Sequence, residues 1–373
     1  MKILFFSLER GRGGGVQSVN QALSEEFIRR GHTVKEVYLR SAGDGQGFVA
    51  RESLPWEFTE GKEIKKALRE KRFFRALRLF LRRTADCFRY QGDLAVTKEY
   101  LRTEKPDCII LSHYLLLRGV PEEFLSRTVC HVHRAPEEVL QNPAHKNTLL
   151  RFRGKVRFLW LSKESAKKAE EAGITPSFSI YNPLSVYPEE RTEAETKTKI
   201  SVIARFSPEK RLPLAVLLLK KAFEKIPDSK AFSVEFWGYG EEEEALKSAC
   251  EGDPRFSVKG KTSDPFSVLA ESRFTVNTSP FEGFSVSVLE ALAAGVPVVS
   301  FDFGSSAKEE IQNGKTGFLL PQGDEEGFVN ALVTLLSDDK ITKQMSENAR
   351  QAALPFRKEA VGEAWEEFLK ANT

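Results

Sequence analysis

Residues 281–290 read FEGFSVSVLE and set two carboxylates, Glu282 and Glu290, eight positions apart at the start of an apolar run. Carboxylates accept hydrogen bonds from vicinal hydroxyls, so two at this spacing can hold two sugar rings of one ligand. With a helix beginning near Ser285, Glu282 and Gly283 lie in the loop before it and Glu290 about a turn and a half inside. The amides of Phe284, Ser285 and Val286 would then point at phosphate and sugar hydroxyls. A purely structural reading competes: Ser287-x-x-Glu290 fits a capping box, with Ser287 as N-cap and Glu290 reaching back to its amide. The two are compatible, and both stay open at this level.

A second group is ARFSPEKR, residues 204–211, between a strand and a helix. Lys210 and Arg211 fall in the first turn of a helix expected over 210–225, where the macrodipole disfavours cations unless an anion is bound. Together with Arg205 at the strand's end, Lys210 could grip a diphosphate, Arg as a bidentate fork and Lys as a point charge. The alternative is a solvated basic turn. Third is GRGGG, with Gly13, Gly14 and Gly15, where the backbone could approach an anion or simply turn. It is not the G-x-G-x-x-G fingerprint, and the second strand closes at Leu39 and Arg40 without an acid, which weakens dinucleotide binding through this loop.

The elements that must position these groups form two α/β series. KILFFSL, the glycine loop, a helical run through Val16, Val19, Leu23 and Phe27, and then HTVKEVYL make a βαβ unit. Strands over 106–114, 126–133 and 154–162 and a helix over 163–173 extend it. Residues 184–198 are polar and aperiodic, which predicts a linker. A second series runs from KISVIARF (199–206) through strands at 232–238, 255–260, 274–279 and 296–302, with a helix between each pair. Two Rossmann-like domains imply a cleft between them. The final FRKEAVGEAWEEFLK is an amphipathic helix with Val361, Trp365 and Phe368 on one face.

At 373 residues the chain has room for two domains, and its 41% apolar and 29% charged content is that of a globular protein. A net charge of +3 is too small to argue for nucleic acid as a partner. Cys87, Cys108, Cys130 and Cys250 are too far apart for metal-ligand spacing and read as reduced, buried thiols. The opening MKILFFSLER is apolar over too few residues for a signal peptide, and no run approaches the ~18 residues of a membrane span. A protein made and kept in the cytoplasm is expected.

IYNP at 180–183, ARFSPEKR, FWGYGEEEE at 236–244 and SPFEGFSVSVLEALAAGVPVVSFD at 279–302, followed by NGKTGFLL, resemble the retaining glycosyltransferase family 4 of the GT-B fold. The glutamate pair is similar to that family's E-x7-E motif. The resemblance covers nearly the whole chain and is most specific over 199–320. It implies an N-terminal acceptor-binding domain (1–183), a C-terminal nucleotide-sugar domain (184–355) and a terminal helix (356–373) crossing back to the first. Arg205 and Lys210 would bind the donor diphosphate, Glu290 the ribose hydroxyls and Glu282 the transferred sugar. The Gly13–Gly15 loop would close over the phosphates, and His133, with His113 second, matches the family's cleft histidine. The implied reaction is metal-independent, retaining hexosyl transfer from a nucleotide-sugar, most plainly a UDP-sugar, with no further cofactor. One departure is GSSAKEEI at 304–311, where many relatives carry a Gly-Pro before the acid.

Residues 62–90 hold eleven Lys or Arg against three acids, interleaved with apolar residues. Lys65, Lys66, Arg69, Arg72, Arg75, Arg78, Arg82 and Arg83 would flank an apolar stripe through Leu77, Leu81 and Phe88. Such a helix can lie peripherally on an anionic membrane or an anionic polymer, or pack on its own domain with a solvated face. The expected acceptor is a cell-envelope glycan, a teichoic-acid-like polymer or a glycolipid. The rivals are a transferase with a small soluble acceptor and a non-catalytic partner subunit of a transferase complex.

Overall fold

A computed structural model describes residues 1–10, 15–41, 95–188, 197–226 and 228–372. The basic segment 62–90, with its eight candidate surface cations, and Gly13 and Gly14 lie outside the described residues.

The first half builds one parallel sheet from β1 (Lys2–Arg10), β2 (Thr33–Ser41), β3 (Cys108–Leu111), β4 (Thr128–Val132), β5 (Arg157–Trp160) and β6 (Ser177–Ser179), in the order β2-β1-β3-β4-β5-β6. The second half repeats the plan with β7 (Lys199–Ile203), β8 (Ser233–Trp237), β9 (Phe256–Gly260), β10 (Ser272–Asn277), β11 (Val298–Phe301) and β12 (Gly317–Leu320), in the order β12-β11-β10-β7-β8-β9. Every pairing is parallel. Helices cover both faces of such sheets, so the inner strands are apolar on both sides, and CIIL of β3 and VVSF of β11 are buried at every residue. The architecture is α/β with two six-stranded Rossmann-like sheets.

Some elements escaped the sequence pattern. β6 is a three-residue, half-buried edge strand, too short for a periodicity to register. The helix expected over 210–225 spans Leu212–Glu224, because Arg211 takes a left-handed φ of 49° and ends a 3₁₀ turn at Pro208–Lys210. Leu184, expected to open a polar linker, is buried, and its amide donates to the carbonyl of Phe356 at 2.7 Å.

The Lys358–Asn372 helix lies on the N-terminal sheet. Trp365 packs edge-on against Phe27 at 5.7 Å and His131 at 5.4 Å, and Phe368 against Phe178 at 5.1 Å. Burying the Trp365 ring contributes roughly 3 kcal/mol. The helix comes close because position 362 is glycine: a Cβ there would sit 2.4 Å from Cγ of Glu26, a buried carboxylate gripped by Arg29 and Arg30.

Candidate active site

In open parallel sheets the ligand crevice lies beyond the carboxyl ends of the strands where the strand order reverses. In the second sheet that point is between β7 and β10. A cleft opens there, lined by Ile203, Ala204, Lys210, Asn277, Thr278 and Ser287. Thr278, which the sequence reading passed over, fixes its floor by donating to the carbonyls of Lys210 (2.7 Å) and Arg211 (3.1 Å). Arg211 is neither Gly nor Asn, so its left-handed backbone is strained. Strain of this kind persists where surrounding contacts over-determine the chain, as these two do.

Lys210 Nζ forms an ion pair with Oε1 of Glu282, both side chains less than one-fifth exposed. The candidate phosphate-binding cation and the first carboxylate of the pair therefore meet across 72 residues of chain. Arg205 stands at the rim, two-thirds exposed, and reaches Glu209 at 2.6 Å. Glu290 lies inside the Val286–Ala293 helix, and burial pushes its carboxyl up to about 7.

The capping box does not form. Ser285 is the N-cap of this helix, and Ser287 lies two residues too far in, with its hydroxyl 3.3 Å from that of Ser285. The Ser285 amide, expected to face a ligand, instead donates to both carboxyl oxygens of Glu310 at 3.1 Å. Glu310 falls in the GSSAKEEI segment that the sequence reading noted, but nothing there pointed to a contact with the Ser285 amide. Phe284 is buried, stacked on Tyr181 at 5.6 Å, so only its backbone is available to a ligand.

Two contacts bring residues of the first domain to this loop. A Cβ on Gly283 would lie 2.0 Å from the carbonyl oxygen of His133, and one on Gly15 would lie 3.2 Å from Cγ2 of Val286. His133 is held neutral to about 4 by burial, its ring 4.1 Å from that of His131 and its Nε2 without a hydrogen-bond partner among the described residues. His113 has structural work, since its Nδ1 accepts from the Leu115 amide at 3.2 Å and caps the turn beginning at Tyr114. Burial pushes it down to about 3. Gly15 and His133 of the first domain thus meet Val286 and Gly283 of the second, beside the Lys210–Glu282 pair.

Residues 186–352 match the family model described as glycosyl transferases group 1. Among curated proteins, the chain is 31% identical over 173 residues to the poly(glycerol-phosphate) alpha-glucosyltransferase of Bacillus subtilis (strain 168). That match takes in 45% of this chain and 25% of the relative, so the chain spans about a quarter of that protein's length. Among solved structures, the complex of a Staphylococcus aureus TarM variant with fondaparinux, alpha-GlcNAc-glycerol and UDP superposes with a TM-score of 0.73 at 14% identity, over 99% of this chain and 100% of that one. The pneumococcal O-GlcNAc transferase GtfA with UDP and GlcNAc gives 0.74 at 12%, over 100% and 99%. The chain adopts the GT-B fold, and its second half carries a glycosyl transferases group 1 domain.

Proposed function

We propose that this chain is a retaining, metal-independent hexosyltransferase that moves a hexose from a UDP-sugar to a hydroxyl of a cell-envelope polymer, with a teichoic-acid-type chain as the first acceptor to try. The observation that carries the reading is the Lys210–Glu282 pair at the strand-order switch, with Glu290 a helix turn beyond it. The B. subtilis relative's name specifies a poly(glycerol-phosphate) acceptor, and both structural neighbours were solved with UDP, which supports the choice of donor and acceptor class.

In this reading Lys210 and Arg205 hold the diphosphate, Glu290 the ribose hydroxyls and Glu282 the hexose, while His133 closes the cleft from the other domain. The bond from the anomeric carbon to the diphosphate oxygen breaks, and the acceptor oxygen bonds to that carbon on the same face. The acceptor's proton passes to the leaving phosphate, giving the glycoside and UDP. Positive charge placed beforehand on Lys210 and Arg205 stabilises the departing diphosphate without reorganisation.

Calorimetry with UDP, GDP, dTDP and ADP is expected to find one nucleotide bound in the micromolar range and lost in Glu290→Ala, followed by transfer of labelled sugar to poly(glycerol phosphate). Binding with transfer only to a small soluble acceptor, or to none, would replace this reading with one of its rivals. No nucleotide binding would remove the transferase reading altogether.

Binding should also release a proton. Ribose hydroxyls donate to the ionised carboxylate, so they lower the Glu290 pKa from about 7 on binding. Below that pH, affinity is expected to rise with pH, by up to about tenfold per unit. Titrations at pH 6 with an intact UDP-sugar, whose diphosphate has no ionisation near that pH, in buffers of different ionisation heat should show close to one proton released per molecule bound, and none in Glu290→Gln.

A further inference from the structure

The segment Gly304–Ile311, where the resemblance implied a Gly-Pro, touches both domains at once. Toward the first domain, Glu309 accepts from the amides of Lys163 (3.2 Å) and Glu164 (3.1 Å) at the start of the Lys163–Glu171 helix, and from the Tyr181 hydroxyl at 2.8 Å. Ser305 Oγ donates to Glu137 at 2.5 Å, and Lys168 Nζ reaches Glu137 at 2.7 Å and Ser305 at 3.0 Å. Toward the cleft, the very next residue, Glu310, is 1% exposed and takes the Ser285 amide.

Glu309 satisfies helix amides that have no partner within their own helix, and its charge complements the positive helix end. Glu310 serves a different end. It is buried, with Glu282 and Glu309 nearby, and burial holds its carboxyl well above the usual range while the Ser285 amide supplies a hydrogen bond to it. The two acids are one peptide unit apart in a single turn, Ala307–Glu310. A planar peptide joins them, so a shift of one backbone position carries the other with it.

We propose that residues 305–310 transmit the domain interface to the 282–285 loop, with Glu310 as the positioning residue of that loop and Glu309 as its grip on the opposite domain. Calling 282–285 a donor loop rests on the transferase reading; the transmission itself does not. When the domains are together, Glu309 fixes the segment, Glu310 fixes Ser285, and Glu282 and the first amides of the Val286–Ala293 helix are held in place. When they part, the loop loses its anchor.

The test is hydrogen exchange by mass spectrometry on the full chain, with Glu309→Ala, Glu310→Gln and Glu310→Ala, alongside donor kinetics. Glu309→Ala is expected to speed exchange about tenfold not only over 163–171, where its contacts are lost, but also over 284–288, where it makes none. It should lower kcat about tenfold with KM for the donor little changed. Glu310→Gln keeps an acceptor oxygen for Ser285 and is expected to stay near wild type, whereas Glu310→Ala exchanges fast over 284–288. Exchange confined to 163–171 in Glu309→Ala, or Glu310→Gln behaving like Glu310→Ala, overturns the proposal. If the wild-type chain turns over no nucleotide-sugar, the transferase reading fails and the exchange pattern still decides the transmission.

Discussion

Lys210→Ala is expected to lower kcat/KM for sugar transfer by about a thousandfold, the scale of removing one preorganised charge from a transition state. Two losses combine. In the proposed reading the developing diphosphate charge loses a cation, and Glu282, 15% exposed, loses its partner. A part-buried carboxylate without a counter-charge is costly and turns toward water, which would carry it off the sugar. Lys210→Arg separates the two effects, since it keeps the charge but not the shape, and is expected to recover part of kcat. Steady-state kinetics on the three proteins, with thermal unfolding as a fold control, settle the matter. A Lys210→Ala enzyme within tenfold of wild type would leave the ion pair as a structural contact only.

Gly283→Ala should produce the second largest effect, by a different route. The added carbon would stand 2.0 Å from the His133 carbonyl oxygen and 2.8 Å from its carbon, both backbone atoms that no rotamer change can move. The loop and the first domain must separate. Lys210 and Glu290 sit on the same side of the cleft as Gly283, so UDP affinity is expected to change less than threefold while kcat falls about a hundredfold, as for a misplacement near 1 Å. Equal losses in affinity and turnover would place the damage within the C-terminal domain and contradict the closeness of Gly283 to the opposite wall.

The sequence made the sheets legible because their strands are continuous apolar runs broken by glycine loops, and it placed Arg205, Lys210 and Glu282 in the connections after strands and Glu290 within the helix that follows. What it hid depends on distance along the chain. Ser287-x-x-Glu290 is a sound local signal, yet Glu310 reached the helix N-terminus from 25 residues away and made a side-chain cap unnecessary. Arg211 gave no warning of its left-handed backbone, since the two carbonyls that constrain that turn are tied by Thr278. Glu309 meets its amides across 145 and 146 residues, a pairing that exists only once both domains are folded. Local pattern placed the candidate residues, and long-range polar contacts decided which helix amides were already taken.

The terminal helix that lies against Phe27, His131 and Phe178 gives the chain an interleaved pedigree. Its first and last described segments pack into one body, with the second sheet inserted between them and both crossings stitched where Leu184 meets Phe356. Exchange of the first-sheet domain between such proteins, by evolution or by a gene designer, therefore takes two breakpoints rather than one. A single cut near residue 184 would graft a new front half onto a foreign tail whose tryptophan was shaped for another groove.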